Sequence, residues 1–125
     1  CEQRAIKVLI EPINIIDLPG YFLNNVNIAL DLINKITSKN LYLQYDLYHG
    51  GMNNEPLLEV ISSRLQIIEH MQVAGVPGRR EPNTGEINFR EIFQHIDQIG
   101  YSNWIGCEYY PTNNAAQNYD WIDSL

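Results

Sequence analysis

Four short apolar runs, rich in β-branched residues, alternate with stretches of helical apolar spacing, and that alternation leaves few folds open. The run IKVLI, Ile6 to Ile10, is closed by Glu11-Pro12 and reads as a buried strand. From Asn25 onward, Val26, Ala29, Leu30, Ile33 and Ile36 fall at helical spacing. LYLQY, Leu41 to Tyr45, is the second strand and leads into Asp46. HGGMNNE reads as a loop, and Pro56 opens a helix with Leu57, Leu58, Ile61 and Leu65 on its apolar face. IIEHMQV, Ile67 to Val73, is the third strand, followed by the polar loop AGVPGRREPNTGEI. Asn88 with Glu91 three residues on gives a capping-box signal for a helix bearing Phe89, Ile92, Phe93 and Ile96, which Gly100 ends. Trp104 to Cys107 is the fourth strand, ahead of an amphipathic piece with Ala115, Tyr119, Trp121 and Ile122.

The order βαβαβαβα predicts an α/β fold with a parallel sheet covered by helices. Four such units are half of a (β/α)8 barrel, a fold of about 250 residues. They equally suit a small open doubly wound sheet. No linker or low-complexity segment divides residues 1 to 125, so one domain is expected.

Composition narrows the function classes. A net charge of −7 argues against binding nucleic acid, which depends on Lys and Arg neutralising phosphates. No apolar stretch approaches the roughly 20 residues of a membrane helix, so no membrane partner is expected. The two cysteines, Cys1 and Cys107, do not make a disulfide framework. Cys107 reads as a small buried apolar residue, and a reducing cytoplasm is the expected compartment. The opening CEQRAIKVLI lacks the features of a signal peptide and starts with Cys, so a further segment upstream is expected.

Each strand finishes on a side chain able to bind a metal or move a proton: Glu11, Asp46, Gln72 and Glu108. Their intervals of 35, 26 and 36 residues are one βα unit each. In a parallel sheet the carboxyl ends of the strands lie on one side, so these four converge although distant in sequence. Three carboxylates and an amide oxygen are a hard-oxygen set suited to Mg²⁺ or Mn²⁺ rather than to zinc. Taken singly, each is an ordinary solvated residue at a strand end. Four in succession favour convergence.

Other polar residues allow two readings each. His49, three residues past Asp46, suits a hydrogen bond to a substrate oxygen or an unremarkable capping role. His70 alternates with Gln72, faces the same way and is expected to be structural, while His95 sits on a helix surface. In GVPGRREPNTGE, Arg79 or Arg80 suits a bidentate clamp on a substrate carboxylate, with Glu81 orienting the arginine. The bland alternative is a solvated Gly/Pro turn.

The segments LIEPIN, QYDLYH, HMQVAGVPGRREPNTGEINF and GCEYYP resemble the C-terminal half of the hydroxypyruvate isomerases, in the xylose isomerase-like TIM-barrel superfamily. The resemblance covers nearly the whole chain. It implies strands five to eight of a barrel, and a divalent metal, Mg²⁺ or Mn²⁺, held by Glu11, Asp46, Gln72 and Glu108. It also implies Glu11 and Glu108 as the acid/base pair and His49 and Arg79 as substrate contacts; with Glu81 from the loop reading, these make up the expected substrate-binding set. The implied reaction interconverts hydroxypyruvate and tartronate semialdehyde, a small hydroxy-keto acid pair, through an enediolate. Two positions depart from the pattern: Gly75, where some relatives carry Asp, and the stretch after His49, which lacks a Gln found in relatives. Alternatives are a related ketose epimerase, a 2-oxo-tetronate isomerase, or an inactive half-barrel. Four strands leave two open edges, so either a missing N-terminal half or a homo-oligomer is the expected partner.

Overall fold

The computed structural model describes residues 4–112 and 119–125. Its elements are β1 (Val8–Ile10), α1 (Val26–Ile36), β2 (Leu41–Asp46), α2 (Leu47–Met52), α3 (Leu57–Arg64), β3 (Ile68–Val73), α4 (Phe89–Gln98) and β4 (Ile105–Cys107), then a 3-10 turn at Ile122–Ser124. All strand pairs are parallel and the sheet order is β1-β2-β3-β4, so each crossover returns to the adjacent position. This is half of a (β/α)8 barrel.

One face of the sheet is dry. Leu43, Tyr45, Met71 and Val73 are buried there with Val26, Ala29 and Leu30 of α1, Val60 and Ile61 of α3, and Phe89, Ile92 and Ile96 of α4. Between β2 and β3 the register shifts: Leu43 pairs with Ile68, but Gln44 pairs with His70. The extra residue, Glu69, keeps Ile68 and Met71 both buried despite their odd spacing. Beyond it, Gln44, Asp46, His70 and Gln72 share the opposite, polar face, as their alternation requires. Glu69 forms an ion pair with Lys7. His70 fits there because Gly106 lacks a side chain; a Cβ would lie 2.9 Å from the imidazole Nε2.

The helix ends follow their signals. Asn25 is extended (φ −154°), and its side chain accepts from the Ile28 N–H, 3.2 Å away. Asn25→Ala is expected to lower stability by about 1 kcal/mol, the usual worth of an N-cap, read as a lower urea midpoint at unchanged slope. Asn88 caps α4 through the Glu91 N–H (3.3 Å), and the Glu91 carboxylate accepts in return from the Asn88 amide.

Three expectations need correction. HGGMNNE is not all loop, because α2 occupies its first half, with Asp46 as N-cap to the Tyr48 N–H at 2.9 Å. Gly50 and Gly51, within that expected loop, serve packing: a Cβ on Gly50 would meet the Tyr45 hydroxyl at 2.7 Å. Cys107 is exposed rather than buried, and Trp104 is 84% exposed. Cys107 ends β4, an edge strand of the sheet, and Trp104 stands just before it. The amphipathic piece after β4 falls partly on Ala115, outside the described residues; past it, Trp121 is buried while Tyr119 and Ile122 are exposed.

Candidate active site

The carboxyl ends of the four strands deliver the acids. Glu11 follows β1, Asp46 ends β2, Gln72 is the penultimate residue of β3, and Glu108 follows β4. Asp46 is buried. Its Oδ1 caps α2, and its Oδ2 faces Arg79 Nη2 at 3.4 Å and His49 Nε2 at 3.7 Å. Burial pushes its carboxyl up to about 7, against the Tyr48 N–H and the Arg79 charge, which pull it down. Burial likewise raises Glu11; a hydrogen bond from Gln44 lowers it and the Glu108 charge raises it further. The His49 imidazole is pushed down, first by burial and then by Arg79.

Arg79 ties the cluster together. Its Nη2 lies 3.1 Å from Glu108 Oε1 as well as 3.4 Å from Asp46 Oδ2, and its guanidinium sits 4.8 Å from the Tyr48 ring centroid. The loop holds it in a left-handed conformation, φ +50°, costly for a non-glycine residue. Backbone bonds on both sides over-determine that conformation: Gly75 N–H to Arg80 O and Tyr110 N–H to Arg79 O, each 2.8 Å. Glu81, the other loop residue in the expected set, is buried, and its two oxygens accept from the Thr112 N–H (2.8 Å) and hydroxyl (2.7 Å). It fastens the loop after β3 to the segment after β4. Arg80 donates to Tyr110 O at 3.1 Å.

Gln72 links the strands across the rim. Its Oε1 accepts from Gln44 at 2.6 Å and its amide donates to Glu108. A cavity of about 510 Å³ opens on the cluster, lined among others by Glu11, Asp17, Tyr48, His49, Arg79 and Glu108. Six of the seven expected residues thus gather at one rim. Sequence reasoning missed Asn14, Asp17 and Tyr48. The spacing Asn14-x-x-Asp17 just after Glu11 is an Asx-turn signal that would have drawn notice to the first two.

One oxygen each of Glu11 and Asp46 and one nitrogen of His49 lie within 4.8 Å of one another. With Glu108 and Gln72 adjacent, the donors are mainly hard oxygens, and the buried Asp46, beside two further acids, is offset by the Arg79 charge and the Tyr48 N–H. This set fits a divalent cation.

A parallel four-strand sheet with helices on one face and acids at its carboxyl rim defines half of a barrel that builds its site at the strand ends. The chain belongs to the xylose isomerase-like TIM barrel family, whose model matches residues 1–125. It is 40% identical over 121 residues to hydroxypyruvate isomerase of Escherichia coli, covering 97% of this chain and 47% of that protein. It is 38% identical over 119 residues to 2-oxo-tetronate isomerase of Cupriavidus necator, covering 95% and 46%. A solved structure described as an AP endonuclease, family 2, from Brucella melitensis superposes with TM-score 0.92 at 33% identity, covering 99% of this chain and 48% of that one. The chain spans about half the length of the curated relatives it matches. No helix of the described residues is long and apolar enough to cross a membrane.

Proposed function

We propose that this chain carries the catalytic rim of a divalent-cation-dependent isomerase that interconverts hydroxypyruvate and tartronate semialdehyde. The observation that carries the reading is the placing of Glu11 and Glu108, from the first and last strands, around a cavity that also holds Arg79. Glu11, Asp46, Gln72 and Glu108 would hold Mg²⁺ or Mn²⁺, which supplies Lewis-acid stabilisation of negative charge on oxygen. Arg79 orients the substrate through its carboxylate. One of the two glutamates removes a proton from the hydroxymethyl carbon, giving an enediolate. The other delivers a proton to the neighbouring carbon, while the hydroxyl proton passes to the former carbonyl oxygen, so atoms balance.

The likeness to a 2-oxo-tetronate isomerase supports a second substrate, longer by one CHOH unit but with the same reacting groups. A DNA repair role, suggested by the description of the Brucella neighbour, fits less well: the net charge is −7, and among the described residues a single His stands in the cluster. The test is product analysis with hydroxypyruvate and with 2-oxo-tetronate, each with Mg²⁺ or Mn²⁺, alongside the solution mass. Turnover of either supports isomerisation, and their ratio of kcat/KM assigns the substrate. No turnover together with no Mn²⁺ binding would leave a half-barrel that acts by association.

A further inference from the structure

Asn14 is fully buried three residues beyond Glu11, and its amide is locked in one orientation. Its Oδ1 accepts from the backbone N–H of Ile16 at 3.0 Å and of Asp17 at 2.9 Å. Turning the amide over would aim its NH₂ at those two donors and leave them without an acceptor. Nδ2 therefore faces the other way, 3.1 Å from Asp17 Oδ2 and 2.7 Å from His49 Nδ1. An amide nitrogen only donates, so this ring nitrogen must accept. The Asn14 backbone N–H points at the same nitrogen from 3.5 Å.

We infer that Asn14 is a positioning residue that fixes His49 as its neutral Nε2–H tautomer, so that His49 offers the cavity a hydrogen-bond donor and not a metal-binding lone pair. The use of that donor rests on the isomerase reading above: it would meet a substrate oxygen on which negative charge develops. Ligation through Nε2 would need the ring proton on Nδ1, where it would confront the Asn14 amide. The cation set then excludes His49, although one of its nitrogens lies close to the oxygens of Glu11 and Asp46.

Nitrogen-15 NMR of histidine-labelled, cation-free protein reads the tautomer directly, with the His49 ring assigned by its loss in His49→Gln. The expected result is a protonated, pyrrole-type Nε2 and an unprotonated, pyridine-type Nδ1. Asn14→Asp keeps an oxygen for the turn but replaces the donor by an acceptor, so Nδ1 should gain a proton. A wild-type ring protonated at Nδ1, or an Asn14→Asp ring unchanged from wild type, overturns the inference. His49→Gln should leave Mn²⁺ affinity within about threefold of wild type, whereas a loss of tenfold or more makes His49 a ligand and also overturns it. Failure of the two readings is separable. An inactive protein with the expected nitrogen shifts removes the isomerase assignment alone, and an active one with reversed shifts removes the tautomer lock alone.

Discussion

Glu108→Gln is expected to lower kcat with hydroxypyruvate by about 10³-fold, the middle of the range for removing a positioned acid or base. The substitution keeps shape and an acceptor oxygen for Arg79 Nη2, now 3.1 Å away, while removing the ability to exchange a proton; kcat is read at saturating Mn²⁺ so that weaker ligation by the amide does not enter it. The side chain is half exposed, and the pair it forms with Arg79 is of the kind worth about 1 kcal/mol or less, so the folded state should persist. Circular dichroism and the urea midpoint check that point. Solvent-deuterium exchange at the substrate carbons then separates the two roles. Lost turnover with persisting exchange at the hydroxymethyl carbon would make Glu11 the residue that removes the proton and Glu108 the one that returns it. Lost exchange at both carbons would give Glu108 the first step. Full activity in Glu108→Gln would sink the assignment of Glu108 to either.

The convergence of Glu11, Asp46, Gln72 and Glu108 was legible because it needs only two facts: where each strand ends, and that parallel strands end on one side. Both survive errors of a residue or two, as at β1 and β3, which begin later than their apolar runs. What was not legible depended on partners distant in the chain. Gly50 and Gly51 suggest a loop until Tyr45 and Ile87 are seen pressed against them. Cys107 and Trp104 have the chemistry of core residues, and only the sheet order shows that β4 lies at an edge. Asn14 meets His49 across 35 residues, a pairing that no local pattern announces. Glu81 stood out as a charge in a Gly/Pro loop, but its bonds to Thr112 need the fold to be seen.

Asp46→Asn is expected to move stability and cation affinity in opposite directions. In the cation-free fold the Asp46 carboxyl is raised from 3.8 to about 7, chiefly by burial. Between those values the native state holds a proton that the unfolded chain has released, so stability falls as pH rises from about 4 to about 7. Above that window the cost of the buried charge is complete, on the order of 4 kcal/mol by linkage. Asparagine removes this cost while keeping an oxygen to cap α2 at the Tyr48 N–H. It forfeits the charge facing Arg79 Nη2, but that guanidinium retains Glu108. With chelator present, the variant should therefore melt higher than wild type at pH 8 and match it near pH 4, its own curve being flatter between. With Mn²⁺ the order reverses, because an amide is a weaker ligand than a carboxylate. Affinity should drop at least about 100-fold, the upper end of what disturbing an outer partner does. Thermal melts with chelator and with Mn²⁺ at the two pH values give all four quantities. A variant destabilised equally at both pH values without cation would show that the Asp46 charge is held for Arg79, and a variant with wild-type Mn²⁺ affinity would remove Asp46 from the cation set.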